Sequence, residues 1–437
     1  MAETAFKTTW TREQVTAFLE EEKPKYQRIP LPYGLSTPGE DRTSTAKLVL
    51  PDRLDGKSVL DIGSYLGFFC HEACRRGATR VVGAEMNGAR LRQAKKIADC
   101  LGMPIDFRRL DVDYDEMPGR FDVVLCLNVT HHLRNPFHAI EKLVACAKER
   151  LVLEVAGVEH VKAQRALHAH GIRGWAARRI LKDSPIAVIA SGEQRPNSAP
   201  TFFTASAIRR LLLGQAAAVS KVDLLPSPFK DRFIAIAWKR RIDDLAFVAG
   251  LPNAGKSTMI ERLVAGELPP VRGALGLERA SKWTVTSPWL LRDQDAPHMP
   301  AALYHYDLMR GSPEKFGSFF RDLNLDILAA SQRTKAVMLW TDPAVLLERL
   351  SKRVGEAPND RKRRTREERL ALISDPRWVS WLMADWFDFV RARGLQLTYV
   401  DSTAEPKPIA ARDFFARLAA AGWAAELSPE SQRAAGG

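Results

Sequence analysis

The sequence predicts an α/β protein of two domains, each built on a doubly wound parallel sheet. Two apolar segments each lead into a glycine-rich turn and then an amphipathic segment, SVLDI-GSYLG at 58–67 and LAFVAG-LPNAGKST at 245–258. Apolar and amphipathic stretches then alternate along the chain, as strands and crossover helices do in parallel sheets. The 437 residues are enough for two separate cores.

The predicted domains are residues 1–241 and residues 242–425, followed by a disordered tail at 426–437. The boundary is placed on AWKRRIDD (237–244), which we interpret as a charged linker after the apolar strand RFIAIAW (232–238). The tail, ELSPESQRAAGG, is polar and has too few apolar residues to add to a core.

The composition is that of a globular protein, with 46% hydrophobic and 27% charged residues. No apolar stretch reaches about 18 residues, so a membrane span is not expected. The N-terminus, MAETAFKTTW, lacks the apolar region of a secretory signal. The 5 cysteines show no paired spacing. We therefore expect buried free thiols and a cytoplasmic location.

Positive charge is concentrated in the first predicted domain. The net charge is +13; residues 242–437 carry 27 Lys or Arg and 25 Asp or Glu, while residues 1–241 carry 38 and 27. An anionic partner is therefore expected to bind the first domain. Segment 162–182 has six basic residues and no acid, and Arg173, Arg178 and Arg179 are predicted to contact acceptor phosphates or an anionic surface. The alternative is a solvated basic helix.

The first glycine turn has the features of a nucleoside-binding site. It follows a strand that ends at Asp61, and Gly63 and Gly67 allow a ligand close to the backbone and to a helix N-terminus. Glu85 ends the next strand, where a carboxylate binds ribose hydroxyls. The four-residue glycine spacing does not match the GxGxxG of NAD sites, which favours S-adenosylmethionine (SAM). The predicted contacts are Asp61, Gly63, Ser64, Gly67, Glu85, Met86, Asp111, Val112 and Asn128.

Methyl transfer from SAM requires mainly positioning and removal of a proton from the acceptor, because the sulfonium is already activated. Asn128, His131 and His132 follow the predicted fourth strand, at the edge where substrates bind. Either histidine is a candidate base or hydrogen-bond donor. The alternative is that one or both only pack the loop.

Three segments carry a resemblance to a known family: LPYGLSTPGEDR (31–42), LDIGSYLGFFCHEACRRGA (60–78) and NVTHHLRNPFHAIEKL (128–143). They resemble the bacterial tRNA wobble-uridine (5-oxyacetate or 5-methoxyuridine) methyltransferases, over roughly residues 25–240. The resemblance implies a class I methyltransferase fold and SAM binding by Asp61, Gly63, Gly67 and Glu85. His131-His132 stands where relatives often have Tyr-His, and no basic pocket for carboxy-SAM is identified. Ordinary methyl transfer is therefore expected.

The second glycine turn matches the phosphate-binding pattern GxxxxGK[ST], between a predicted strand and a helix. Backbone N–H groups of this P-loop would surround a β-phosphate, Lys256 would reach the β- and γ-phosphates, and Ser257 would hold Mg²⁺. The predicted nucleotide contacts are Gly250, Asn253, Ala254, Gly255, Lys256, Ser257 and Thr258.

The sequence after this motif favours a kinase over a GTPase. GLPNAGKST is similar to the first motif of Obg-type GTPases, but residues 259–437 contain no NKxD, TKxD or DxxG motif. They resemble small-molecule and nucleoside kinases, which implies ATP as the nucleotide. Asp307, at the end of an apolar strand, would bind Mg²⁺ or accept the hydroxyl proton. DRKRRTREER (360–369) resembles an arginine-rich lid, the alternative being a solvated charge cluster. The candidate phosphate clamps are Arg349, Arg353, Arg361, Arg363, Arg364 and Arg366.

We expect a bifunctional methyltransferase and ATP-dependent kinase that modify one acceptor, a glycan or another hydroxylated metabolite. One alternative is an RNA-modifying enzyme, which the charge of residues 1–241 favours. Steep salt dependence of binding would distinguish RNA from a neutral glycan. The other alternative is a methyltransferase regulated by a nucleotide-binding switch, and phosphate transfer to an acceptor would exclude that role.

Overall fold

The computed structural model describes residues 8–172, 174, 181, 183–190, 199–215, 218–276, 284–286, 298–311 and 327–427. The chain divides into two compact units, Met1–Lys239 and Arg240–Gly437. Each unit has one main sheet, of seven strands in the first and six in the second. None of the helices in these ranges is both long and apolar enough to cross a lipid bilayer.

The sheet of the first unit has the strand order β3-β2-β1-β4-β5-β9-β8. The strands β1 to β5 are parallel, as predicted. β9 is antiparallel to both β5 and β8, so the prediction of a wholly parallel sheet is wrong at this edge. Only residues 227–231 separate β8 from β9, and so short a connection joins antiparallel strands. The strands are β1 Ser58–Ile62, β2 Arg80–Ala84, β3 Ile105–Arg108, β4 Phe121–Leu127, β5 Ala147–Ala156, β6 Ala187–Ile189, β7 Thr201–Phe203, β8 Val219–Pro226 and β9 Arg232–Lys239.

Helices cover both faces of this sheet. One core contains Val15, Phe69 and Ile97, from helices on the first face, and the other contains Ile140 and Leu212, from helices on the second. The two-stranded sheet of β6 and β7 packs with α6 in a smaller cluster. The helices are α1 Arg12–Glu22, α2 Thr43–Val49, α3 Phe68–Arg75, α4 Gly88–Leu101, α5 Pro136–Cys146, α6 Val161–Ala169 and α7 Ala205–Gly214.

The second unit has the strand order β11-β12-β10-β13-β14-β15. Its strands are parallel except β15, which pairs antiparallel with β14. The apolar segment LTYVDST (397–403), which resembles the final strand of such a kinase, forms most of β14, and β15 follows it, so it is not the last strand. The strands are β10 Arg241–Gly250, β11 Thr284–Thr286, β12 His298–Asp307, β13 Ser331–Trp340, β14 Gln396–Asp401 and β15 Lys407–Ile409. The helices are α8 Lys256–Val264, α9 Pro269–Leu275, α10 Leu308–Gly311, α11 Pro343–Gly355, α12 Asp360–Ile373, α13 Pro376–Arg391 and α14 Ala411–Ala420.

The predicted linker is wrong. β9 continues to Lys239 and β10 begins at Arg241, so only Arg240 lies between them, and it is 2% exposed. Ala237 of β9 and Ile242 of β10 are fully buried. The burial of apolar residues in both strands favours strand structure here and outweighs the preference of the charged residues for a solvated linker.

The prediction for the C-terminal tail and the prediction for the cysteines have different outcomes. Glu426 donates its backbone N–H to Ser380 Oγ at 2.7 Å and Leu427 is buried, so the first two residues of the predicted tail are structured. Residues 428–437 lie outside the described ranges. All five cysteines are free and buried, as predicted.

Candidate active sites

The turn after β1 is built on residues with left-handed backbone conformations. The φ angle is +71° at Gly63, +56° at Tyr65 and +86° at Gly67. A Cβ on Gly63 would lie 2.5 Å from Val129 Cγ2, and one on Gly67 would lie 2.4 Å from Phe107 Cζ. Both positions therefore require glycine. The turn connects β1 to α3 at the carboxyl end of β1.

Glu85 connects this turn to the end of β2. Its side chain is buried, and its Oε2 accepts the backbone N–H of Tyr65 at 3.1 Å while Oε1 accepts that of Asn87 at 2.8 Å. A carboxylate has about four acceptor positions, so two remain for the hydroxyls of a ribose. The predicted ribose ligand therefore also orders the turn.

Asp61 lies at the carboxyl end of β1 and is buried against α3. The Cys70 thiol is 3.7 Å from its Oδ2. Burial raises the pKa of the Asp61 carboxyl to about 7; the charge of Glu85 adds to this, while the Cys70 thiol and the charge of Arg42 oppose it. Asp61 is therefore only partly ionised near neutral pH. A ligand cation placed beside it would favour the carboxylate.

The predicted adenine-side residues follow β2 and β3. Asp111 accepts the backbone N–H of Asp113 on Oδ1 at 3.0 Å, which orders the loop, and Val112 is buried. Met86 is 51% exposed although it follows buried Glu85. An exposed thioether beside a carboxylate-lined edge offers an apolar surface for a purine ring.

Asn128 and the two histidines follow β4. Asn128 has φ +60°, and its N–H donates to the carbonyl of Glu154 at 2.7 Å. His131 is buried and stacks on Phe202, with ring centroids 5.7 Å apart. Burial, with the charges of neighbouring basic groups including His132, lowers the pKa of His131 to about 3. His131 is therefore neutral and packed, whereas His132 is exposed at the same edge and is the better-placed candidate base.

The basic segment 162–182 is only partly described. Its first residues belong to α6, which ends at Ala169. Arg173, Arg178 and Arg179 lie outside the described residues, so their predicted contact with an anionic acceptor or surface stays a prediction.

In the second unit, the predicted P-loop, residues 250–258, connects β10 to α8. Asn253 and Gly255 have φ of +64° and +86°. Lys256 is buried, and its Nζ donates to the carbonyls of Gly250 at 2.8 Å and Leu251 at 2.7 Å. The ammonium thus lies inside the loop, and Ser257 and Thr258 are exposed at the start of the helix. This places cationic and N–H donors where phosphates would bind.

The P-loop borders a cavity of about 650 Å³. Six cationic and two carboxylate side chains line it, so its walls favour anions. Of the predicted P-loop contacts, Gly250 and Ala254 support the loop but do not line the cavity within the described part of the chain. The lining residues include Asn253, Gly255, Lys256, Ser257, Thr258, Arg262, Asp307, Arg349, Lys352, Arg353, Glu356, Arg369 and Ser402.

Ser257 and Asp307 are the predicted magnesium ligands, and both line this cavity. Asp307 ends β12 and is paired in register with Gly250, the first P-loop residue. A hydroxyl and a carboxylate suit Mg²⁺, which takes most of its remaining ligands from water and substrate phosphates. No group of three or more His, Cys, Asp or Glu that could hold a metal occurs within the described ranges.

The arginines predicted to clamp a phosphate have different positions. Arg353 lines the cavity, as does Arg369, which was not predicted. Arg349 lines it too, but its Nη2 donates to the carbonyl of Thr403 at 2.8 Å, so it supports the loop after β14. Arg366 binds the carbonyl of Arg353. The remaining three are exposed on α12 and are not among the described lining residues: Arg361, Arg363 and Arg364.

Part of the first unit is similar to known proteins. Residues 41–215 match a family model described as a methyltransferase domain. Ubiquinone biosynthesis O-methyltransferase of Pseudomonas paraeruginosa (strain PA7) is 37% identical over 89 residues, which are 20% of this chain and 38% of that protein. The Azotobacter vinelandii protein of the same name is 39% identical over 97 residues, 21% and 41% of the two chains. Residues 41–215 form a class I methyltransferase domain.

The chain spans about two fifths of the length of the curated relatives it matches. Among solved structures, the N-terminal domain of EvdMO1 with SAH and D-fucose aligns with 53% of this chain and 98% of its own, at 16% identity and a TM-score of 0.40. Magnesium protoporphyrin IX methyltransferase from Synechocystis PCC 6803 with bound SAH aligns with 45% and 80%, at 20% identity and a TM-score of 0.33.

Three residues of the methyltransferase domain site were missed by sequence reasoning. Arg42 and Glu154 form a buried ion pair of 2.7 Å across 112 residues of sequence. His160 stacks on Phe202 with ring centroids 4.8 Å apart, beside His131. No local motif marks Glu154 or His160, because their environment exists only after the chain folds, whereas Arg42 ends the segment 31–42 that carries the family resemblance.

Proposed function

We propose that this chain is a SAM-dependent methyltransferase whose second unit is an ATP-dependent kinase. The methyltransferase proposal rests mainly on Glu85, a buried carboxylate with free acceptor positions beside a glycine turn, in a domain that matches methyltransferases. SAM supplies an activated methyl group. The protein positions the acceptor at the carboxyl ends of β4 and β5, where exposed His132 is placed to accept its proton.

The kinase proposal is supported by the cavity at the P-loop. Lys256 lies in the loop, Ser257 and Asp307 offer oxygen ligands for Mg²⁺, and Arg353 and Arg369 line the same space. Phosphoryl transfer depends on neutralising phosphate charge and orienting a hydroxyl. The six cationic side chains of the cavity would neutralise phosphate charge, and the Asp307 carboxylate would orient the acceptor hydroxyl.

For the acceptor we propose a hydroxylated glycan or metabolite modified by both activities. A phosphate added by the kinase would be an anion suited to the first unit, which carries most of the positive charge. RNA modification, as in the wobble-uridine enzymes, is the second candidate, and the same charge favours it. In the third candidate, the P-loop unit is a nucleotide switch.

Two labels on the full-length protein test this proposal. Incubation with methyl-labelled SAM and γ-labelled ATP should place both labels on one acceptor fraction. Asp307→Asn should still bind ATP but lose phosphate transfer, and Arg361→Gln, outside the cavity, should retain it. Nucleotide hydrolysis without transfer, insensitive to Asp307→Asn, would favour the switch. Acceptor binding that falls steeply with salt would favour RNA.

A further inference from the structure

One face of α11 lines the P-loop cavity over about two helical turns. Four of its side chains border this space, and residues three, four and seven positions apart lie on one side of a helix. They are Arg349, Lys352, Arg353 and Glu356. The face begins beside the P-loop, where the Nδ2 of Asn253 lies 3.5 Å from the Arg349 carbonyl oxygen. It continues for about 10 Å along the helix axis, at about 1.5 Å per residue.

The next helix, α12, adds a further cation to this cavity. Arg366 donates to the backbone carbonyl of Arg353, which holds α12 against α11. Arg369 follows about one turn later on α12 and is half-buried at the cavity wall. Arg353 and Arg369 therefore reach the same cavity from two different helices.

Three of the six cationic side chains of the cavity are engaged within the protein. Lys256 donates to two carbonyls of its own loop. Arg262 forms two hydrogen bonds of 2.8 Å with the Glu405 carboxylate. Arg349 donates to the Thr403 carbonyl at 2.8 Å. The Glu405 carboxylate supplies a counter-charge, whereas a carbonyl leaves the charge of Arg349 in place.

The other three cations of the cavity have no bonding partner in the described part of the chain. No hydrogen bond or ion pair there involves the side chain of Lys352, Arg353 or Arg369. Like charges around one space repel one another, and an anion bound among them would turn this repulsion into attraction.

The charges of the cavity divide into two groups. Lys256, Arg349 and the N–H groups at the start of α8 lie at the P-loop, where they would oppose the net charge of about −2 on Mg²⁺-bound ATP. The remaining group consists of the three unpartnered cations and Glu356, with a net charge of +2. A phosphate monoester carries about −1.5 to −2 near neutral pH. Guanidinium groups also bind its oxygens in pairs, so this second group matches a phosphate in both charge and geometry.

We propose that Arg353, Arg369 and Lys352 form a second anion site, which binds a phosphate group that the acceptor of the kinase unit already carries. This inference rests on the proposed kinase function and narrows the acceptor to a phosphorylated metabolite or glycan. The site recognises this phosphate without altering it. The hydroxyl that receives the γ-phosphoryl group belongs to another part of the same acceptor.

The test uses the full-length protein saturated with Mg²⁺ and the ATP analogue AMP-PNP, so that the P-loop is occupied. Inorganic phosphate is then added at constant ionic strength, and its binding is followed by ³¹P NMR. The wild type should bind one phosphate saturably. Arg353→Gln and Arg369→Gln should each weaken this binding roughly 10- to 100-fold, through the loss of charge-assisted hydrogen bonds. AMP-PNP affinity should stay within about threefold, because the charges at the second site are screened from the P-loop.

Arg361→Gln is the matched control, since Arg361 is an exposed arginine of α12 that is not among the described lining residues. It should leave the binding of both phosphate and AMP-PNP unchanged. Acetate, which carries a single charge, should bind to the AMP-PNP complex more weakly than phosphate. Acetate that binds as tightly would overturn the assignment of a phosphate group.

The outcomes separate this inference from the broader proposal. If AMP-PNP binds but phosphate does not bind saturably, or binds equally well to Arg353→Gln and Arg369→Gln, the second anion site is wrong. A large loss of AMP-PNP affinity in Arg353→Gln would assign this side chain to the nucleotide and also contradict the inference. No binding of AMP-PNP would overturn the kinase proposal itself, and the inference with it. The titrations of the wild type need no substitution, so they decide the matter even if a variant fails to fold.

Discussion

At the scale of single residues, Glu85 has a structural role in the turn and a proposed role in SAM binding. Glu85→Ala should weaken SAM binding by about 1.5–3 kcal/mol for each ribose hydroxyl bond lost. Isothermal titration calorimetry measures this directly. Glu149→Ala is the matched control, because Glu149 is an exposed acid near the N-terminal end of β5, where it pairs with Lys57. Unchanged SAM affinity in Glu85→Ala would remove the ribose assignment.

Asp61 should make the stability of the methyltransferase domain depend on pH. Its folded pKa of about 7 is above its ordinary value of 3.8, so the folded state holds a proton that the unfolded state releases between those values. Stability should therefore fall as pH rises through this window. Asp61→Asn should remove roughly 2–3 kcal/mol of the loss between pH 5 and pH 8.

Urea unfolding at the two pH values measures this effect. Asp55→Asn serves as the control, since Asp55 is exposed and paired with Arg53, which lowers its pKa. The same decline in wild type and Asp61→Asn would show that another group causes it.

The site residues that sequence predicted are those with a local signature. Gly63, Gly67 and Lys256 sit in turns whose backbone conformation and donors depend on neighbours in sequence. Glu154 could not be found in this way, because its partner Arg42 is 112 residues away. The two histidines show the same limit: His131 and His132 are adjacent, yet only the fold decides that one is buried and the other exposed.

At the scale of elements, the P-loop depends on the ends of two neighbouring strands. Ser402, just after β14, is buried, and its Oγ lies 2.7 Å from the carbonyl oxygen of Ala254 and 2.8 Å from that of Trp340, either of which can accept its one proton. Thr341, just after β13, is 3.3 Å from the same Ala254 carbonyl. The Ser402 and Thr341 hydroxyls therefore hold the Ala254 carbonyl, and with it the loop, in position.

Ser402→Ala should destabilise the second unit by about 1–3 kcal/mol, because buried carbonyls lose a partner. It should also weaken nucleotide binding. Thermal unfolding and nucleotide titration measure the two effects. Ser374→Ala, which removes an exposed hydroxyl at the end of α12, should change neither. A lower stability of the second unit with unaltered nucleotide affinity would show that Ser402 does not position the loop.

The parallel strands of both sheets could be predicted because apolar runs alternate with amphipathic helices. The antiparallel edges could not. β15 has only three residues, and β9 is an apolar strand like those of the parallel set β1 to β5, so neither sequence indicates a direction. Direction follows from the connection, and the five residues between β8 and β9 allow only a hairpin.

At the scale of the whole molecule, the two proposed sites should work independently in binding. Lys256 and Glu85 lie in different units, each with its own core. Lys256→Ala should abolish ATP-dependent turnover and leave SAM affinity within about twofold, since each domain keeps its own contacts. A large loss of SAM affinity in Lys256→Ala would show that the units are coupled.

The direct passage from β9 into β10 has a consequence for proteolysis. Lys239, Arg240 and Arg241 are three successive cleavage positions for trypsin, at the boundary of the two units. A protease needs an extended segment whose backbone is not paired with another strand. Here the residues before Arg240 are paired in β9 and those after it are paired in β10, and Arg240 itself is 2% exposed. Limited trypsin digestion should therefore spare this junction. The protein would then lose exposed basic stretches such as α12 before it separates into two halves.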